Sequence, residues 1–276
     1  MTVPFAEFPS TSADSPLAED ARDFEWLETD GRSGFASSTV TLCPTRRYHA
    51  LLVAPPAKMT TRHVFLSALL DRVTSGEGST DLTHLRYGDN EPPPAPESLA
   101  GFGLVPWPKT TFVHGAYTIQ REILMLRDSP TVLVRYGVAR DTEPAEGETE
   151  EGIALTLRPL VAFRESDALT VRNDVLDQDV EVTDTGIRMK PYQGLPAMDI
   201  TLDREDPERW FQKDPGWYIG VRYQSDIDRG YAGHEDLFSP GWFGVKLMPG
   251  DSVTLAATID ETVEAPATLF DAEAEV

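Results

Sequence analysis

Two polar clusters hold the residues best suited to chemistry. The first, Thr45-Arg46-Arg47-Tyr48-His49, runs straight into the apolar stretch Ala50–Ala54 at the end of EWLETDGRSGFASSTVTLCPTRRYHALLVA (25–54). A guanidinium is a rigid planar fork of donors, suited to a carboxylate or to a row of sugar hydroxyls. In so acidic a chain, Arg46 and Arg47 equally suit simple pairing with the protein's own carboxylates. The second cluster is DIDRGYAGHEDLFSPGWFG (226–244), with Asp226, Asp228 and Arg229 followed by Glu235 and Asp236. It could hold an arginine network or supply paired carboxylates, the working groups of glycoside hydrolysis at separations of ~5–10 Å. Adjacent acids are frequent here by composition, which argues against Glu235 and Asp236 as catalysts. A third feature is aromatic. Trp26, Trp107, Trp210, Trp217 and Trp242 offer flat faces for sugar rings or simply pack, and DPERWFQKDPGWY (206–218) reads as an exposed, proline-bounded loop.

Other chemistries find no support. The chain has no G-x-G-x-x-G, no P-loop, no H-E-x-x-H and no G-x-S-x-G. His49, His63, His84, His114 and His234 stand singly, without metal-ligand spacing, so no metal or cofactor is expected. The lone Cys43 excludes an internal disulfide framework and fits a reducing, cytoplasmic setting. The N-terminus has neither the basic start nor the apolar stretch of a signal peptide, and no stretch approaches a membrane span. With 46 acidic against 24 basic residues the formal charge is −22, which disfavours nucleic acid and anionic lipid as partners. Only five of the basic residues are lysines. Such a surface suits concentrated salt, or else is merely acidic; a neutral polysaccharide is compatible with either.

These residues are positioned by strands. VRYGVA (134–139) and IALTLRPL (153–160) have strand length and pattern, with the acidic stretch 141–152 expected as the hairpin loop between them. VEVTDTGIRM (180–189) reads as a tight hairpin, and FGVKLMPGDSVTLAATI (243–259) as the clearest one, alternating on both sides of Pro249-Gly250-Asp251. Residues 60–73 read as strand, with Ser67–Val73 alternatively helical. The proline-rich 91–103 is expected as a surface loop, and the tail after Ala265 as neither helix nor strand of consequence. Short strands, regular turn signals and 22 prolines predict a large all-β antiparallel sandwich over 23–262, preceded by a loose tail at 1–22.

The segment 25–54 resembles the start of bacterial and archaeal glycogen debranching enzymes of the amylo-α-1,6-glucosidase type, where E-W-L-x-T-N-G-x-G-G precedes N-T-R-R-Y-H-G-L-L-V-A. The similarity continues through 117–136 and 157–169 to DRGYAGHEDLFSPGWF (228–243), four ordered segments in all. The resemblance implies an N-terminal β-supersandwich, of the architecture shared with galactose mutarotase, followed by an (α/α)6 barrel that carries the catalytic carboxylates. It makes 263–276 a linker toward that barrel, present in cis or trans, and α-glucan (glycogen or maltooligosaccharide) the substrate. It further implies that this chain is non-catalytic alone. Thr45, Arg46, Arg47, Tyr48 and His49 match the first motif; Arg229, Gly230, Glu235, Asp236, Pro240 and Gly241 match the last. The expectation is that both segments meet at one end of the sandwich, with Arg46 or Arg47 paired to Glu235 or Asp236, at a domain interface or glucan cleft. Ser33, Pro44 and Ala50 depart from the pattern, and the lost glycines suggest a rearranged loop. The alternatives are a free-standing α-glucan-binding or regulatory module, or a mutarotase-like enzyme joining His49 or His234 to Glu235.

Overall fold

The computed structural model describes residues 24–88, 97–140, 152–203, 211–260, 263 and 265–275. The chain shuttles between two antiparallel sheets. β1 (Glu25–Thr29), β2 (Phe35–Thr39), β3 (Ala50–Ala54), β4 (His63–Ser75) and β5 (Gly78–Asp81) lie in the first. β6 (Leu99–Gly103), β7 (Lys109–His114), β8 (Tyr117–Met125) and β9 (Thr131–Arg140) build the second. β10 (Ile153–Glu165) returns to the first, and β11 (Val180–Val182), β12 (Gly186–Met189) and β13 (Met198–Leu202) to the second. β14 (Phe211–Arg222), the single helical turn α1 (Gln224–Asp228) and β15 (His234–Leu247) precede β16 (Ser252–Thr258) and α2 (Pro266–Ala274). The first sheet runs β1-β2-β3-β4-β10-β15-β14 with β5 on β4, and the second β11-β12-β13-β16-β9-β8-β7-β6. This is the large all-β antiparallel sandwich expected.

Alternation decides which side chains are inside. Tyr117, Ile119 and Ile123 of β8 face Leu155 and Leu157 of β10 and Phe238 and Phe243 of β15 in one core between the sheets. Each such side chain contributes ~1.5–3 kcal/mol by leaving water. Irregularities in the β10–β15 and β10–β4 registers between Leu157 and Arg164 let Leu160 and Ala162 pack outward. They join Val64, Ala68, Val221 and Leu237 in a second apolar cluster on the first sheet's outer face. One ionic contact crosses the main core: Tyr136 Oη donates to Asp71 Oδ2 at 2.7 Å, and Arg121 Nη1 lies 3.5 Å from the same oxygen.

Several sequence expectations are corrected. The strands on either side of Pro249-Gly250-Asp251 are not partners: β15 belongs to the first sheet and β16 to the second. The turn is tight, with Asp251 N donating to Met248 O at 2.9 Å, but it carries the chain across the sandwich. β9 and β10 are likewise in different sheets, and the acidic stretch 141–151 between them lies outside the described residues. Both faces of a sandwich core impose the same alternation, so pattern shows a strand without naming its partner. Residues 63–75 are strand, as are 99–103 within the expected loop; 89–96 lie outside the described residues. From Phe211 onward the tryptophan-rich loop is the edge strand β14, where the register shift between Lys213 and Gly216 absorbs Pro215.

The tail is corrected too. α2 packs Phe270 against Leu124, Leu133, Ala256 and Val263 on the second sheet's outer face. The Arg135 guanidinium lies 3.9 Å from the Phe270 ring centre and donates to Asp271 Oδ1 at 2.6 Å. So short a helix is held by packing rather than propensity, which is why its sequence gives little sign of it.

Candidate functional site

The first motif is a turn between β2 and β3, and the strand begins at Ala50. His49 N donates to Arg46 O at 3.0 Å, closing the turn. Thr45 N donates to His49 Nδ1 at 3.1 Å, which leaves the imidazole proton on Nε2. That nitrogen is 3.6 Å from Glu25 Oε1, while Arg46 Nε donates to the same oxygen at 2.6 Å. The His49 N–H, opposed by partial burial and reinforced by Arg46, brings the Glu25 carboxyl down to about 2. Of the two donors Arg46 is the closer, and its guanidinium also lies beside the Tyr48 ring, 5.8 Å from the centroid.

Arg47 works as a clamp. Its backbone N and its Nε donate to Asp226 Oδ2 at 2.9 and 3.1 Å. Nη1 donates to Asp167 O at 2.7 Å and Nη2 to Ala232 O at 2.6 Å. Thr45 O accepts from Ser225 N at 2.9 Å, so the turn and α1 are tied at two points.

Behind it sits a buried pair that the sequence reading missed. Arg164 projects from the outer side of β10 with its side chain 6% exposed, and Glu235 of the adjacent β15 is 0% exposed. Arg164 Nε and Nη2 donate to Glu235 Oε1 and Oε2 at 2.5 and 2.8 Å. Thr170 N donates to Oε1 at 2.9 Å and Tyr223 Oη to Oε2 at 2.6 Å. Arg164 Nη2 also donates to Arg47 O at 2.7 Å. Burial, with the adjacent Glu235 carboxylate, pushes the Tyr223 phenol well above its ordinary range. Burial opposes the charge on Arg164, but Glu235 outweighs it and keeps the guanidinium charged. Asp236 is held by backbone: Gly220 N donates to Oδ1 and Arg172 N to Oδ2, each at 2.8 Å.

The two motif segments therefore meet, but by other bonds than those expected. Arg46 pairs with Glu25 and Arg47 with Asp226; Glu235 is taken by Arg164, which reaches it from the neighbouring strand. Arg229 is exposed at the end of α1 and has no side-chain partner among the described residues. Ser33 and Ala50 have ordinary negative φ, so neither position needs a glycine in this chain. Gly241 does: φ is 151°, and a Cβ there would sit 2.1 Å from Gln212 O on β14. Neither His49 nor His234 joins Glu235, since His49 faces Glu25 and His234 is exposed. Without exposure and with four donors on it, Glu235 reaches no external molecule. Among the described residues no group of three His, Cys, Asp or Glu could hold a metal ion.

The tryptophans separate clearly. Trp26 is 2% exposed and donates to Thr39 O at 3.2 Å, so it has no face for a sugar. Trp107 packs edge-on against Phe270 with its N–H to Glu122, and Trp217 packs edge-on against Phe238 beside the main core. Trp242 is half-buried on the outer face of the first sheet, and Trp210 lies outside the described residues.

Fold and site together define a two-sheet all-β domain whose motif residues are bound into a brace at one end. Residues 25–254 match the family described as glycogen debranching enzyme N terminal, and the chain belongs to that family. No curated protein matches it. Among solved structures, a bacterial glucoamylase complexed with acarbose is similar over 100% of the chain at 10% identity and TM-score 0.36. An Escherichia coli K12 protein assigned as an aldose 1-epimerase is similar over 86% of the chain and 99% of its own length, at 8% identity and TM-score 0.37. A human-microbiome protein assigned as a kojibiose phosphorylase is similar over 92% of the chain, at 8% identity and TM-score 0.32. The chain spans 36% of the glucoamylase and 32% of the phosphorylase.

Proposed function

We propose that this chain is the non-catalytic N-terminal domain of a glycogen debranching enzyme-like glucosidase, cytoplasmic in setting. Its role is to dock an (α/α)6 catalytic barrel, in cis or trans, and to shape the rim of the cleft in which that barrel hydrolyses α-1,6 branch points. The observation that carries this reading is the engagement of Glu235: the motif carboxylate best placed for chemistry is consumed by Arg164, Tyr223 and Thr170. The brace instead fixes the loops around it. Val171 lies between Thr170 and Arg172, which bond Glu235 and Asp236, and Ile219 precedes Gly220, which bonds Asp236. Both are exposed, as is Tyr231 at 64%, 5.7 Å from the Arg47 guanidinium. Exposed apolar side chains on rigidly held loops suit a docking surface.

The test is complex formation with the (α/α)6 domain of a glycogen debranching enzyme expressed without its own N-terminal domain. A 1:1 complex is expected by light scattering, weakened at least tenfold in Ile219→Asp and Tyr231→Asp. Absence of a complex, or a complex indifferent to both substitutions, would overturn the assignment of this end as the docking face.

A further inference from the structure

The outer face of the first sheet carries a second feature, adjoining the brace at Gly220. Alternation sends Leu70 and Arg72 of β4 and Thr156 and Arg158 of β10 outward, where they are joined by Trp242 of β15. Tyr218 of β14 stands at one side. The segment after β5 folds back over the same face, tied down by Arg222 N to Arg86 O at 2.8 Å and Gly88 N to Gly220 O at 3.1 Å. Between them lies an open groove of about 610 Å³, walled by the half-buried Tyr87, Tyr218 and Trp242. Leu70, Leu85, Tyr87 and Tyr218 also pack on the outer apolar cluster, so the walls are set before any ligand arrives.

The chain carries −22, yet the groove's charges are internally matched. Arg72 grips Asp81 through two bonds, at 2.5 and 3.0 Å, and Arg158 donates to Asp214 Oδ2 at 2.5 Å. The lining's histidine, His84, has its Nε2 3.2 Å from Asp81 O, and among the described residues no group of three His, Cys, Asp or Glu could hold a metal ion. What is left is aromatic surface and neutral donors: the Trp242 indole N–H and the phenols of Tyr87 and Tyr218 have no hydrogen-bond partner among the described residues. Flat apolar faces beside uncommitted N–H and O–H groups match a molecule with apolar ring faces and a rim of hydroxyls.

We propose that this groove binds a neutral oligosaccharide. Sugar rings lie on Trp242 and the tyrosines, and hydroxyls bond the indole N–H, the phenols and the Thr156 hydroxyl. That the sugar is an α-glucan rests on the functional reading above; that it is a neutral glycan does not. A proline-rich peptide also stacks on such rings and its carbonyls accept from the same donors, but it has no N–H or O–H to give the phenol and Thr156 oxygens, whereas sugar hydroxyls bond both ways.

The whole chain, labelled with nitrogen-15, is titrated separately with maltoheptaose, cellohexaose and a polyproline peptide while the indole N–H resonances are followed. Maltoheptaose is expected to shift the Trp242 resonance and leave that of Trp107 in place. Calorimetry should then show binding about tenfold weaker in Trp242→Ala, with Thr156→Trp blocking the groove in a second way. Failure of both glucans to move the Trp242 resonance at ~10 mM, a ligand level far above any useful Kd, would overturn the proposal. So would saturation by polyproline alone. Binding of cellohexaose without maltoheptaose would uphold the groove and count against the α-glucan reading, which the docking experiment tests separately.

Discussion

Replacing Glu235 with alanine should be among the most damaging single changes in this fold. The substitution strips a buried guanidinium of its two carboxylate bonds and also leaves Tyr223 Oη and Thr170 N without their acceptor. Breaking one side of a buried ion pair costs about 3–5 kcal/mol, because the remaining charge is uncompensated. For a domain of this size each kcal/mol moves Tm by about 2–4 °C, so a fall of roughly 6–20 °C is expected. Asp81→Ala is the matched control: its pair with Arg72 is about half exposed on both sides, and such pairs contribute at most ~1 kcal/mol. The double change Arg164→Met with Glu235→Leu should recover part of the loss but not all, since Tyr223 Oη, Thr170 N and Arg47 O still lose their partners. Thermal unfolding followed by tryptophan fluorescence reads all three. If Glu235→Ala shifts Tm no more than Asp81→Ala, the brace does not hold this end of the fold together.

Three further outcomes follow from the same geometry. Asp71→Ala should cost about 3–5 kcal/mol, by leaving Arg121 unpaired between the sheets. Arg121→Met with Asp71→Leu should recover part of that loss by urea unfolding, since Asp71 Oδ1 and Arg121 Nε already have no hydrogen-bond partner among the described residues, but not all of it, because the buried Tyr136 hydroxyl loses its acceptor. Glu28 is raised from 4.5 to about 6, by burial first and by the neighbouring Glu273, against a backbone hydrogen bond from Met125. A carboxyl raised in the folded state binds protons more tightly there, so stability falls as pH rises from 4.5 through 6. Glu28→Gln should therefore raise Tm at neutral pH, with the gain closing as pH falls below 4.5. Phe270→Ala should cost about 3–5 kcal/mol or release α2, seen as faster amide exchange over residues 266–274 with the sheets unchanged.

What the sequence revealed depended on whether a signal was local. The β11–β12 hairpin and the alternation of Phe243, Val245 and Leu247 are local facts, and both elements form where the pattern puts them. Partnership between strands is not local. Nothing in Pro249-Gly250-Asp251 distinguishes a turn within one sheet from a step between two. The motif arginines were legible as ion-pair formers in an acidic chain, but their partners were not. Glu25 lies 21 positions before Arg46, and Asp226 lies 179 after Arg47. Arg164 left one usable trace: it follows the buried run Val161–Phe163 on a strand, where an arginine needs a carboxylate. Trp26 could not be sorted by type, since its burial depends on how β1 lies against β2.

The most direct test of the central claim is glucose release from a 6-O-α-glucosyl maltooligosaccharide by the purified chain, alone and mixed with the (α/α)6 domain. No release is expected from the chain alone. With the helical domain present, release is expected, together with sensitivity to Ile219→Asp and Tyr231→Asp on the docking face. Glucose release by the chain alone, abolished by Asp236→Asn in a variant that keeps its Tm, would contradict the reading of this domain as a support for chemistry performed elsewhere.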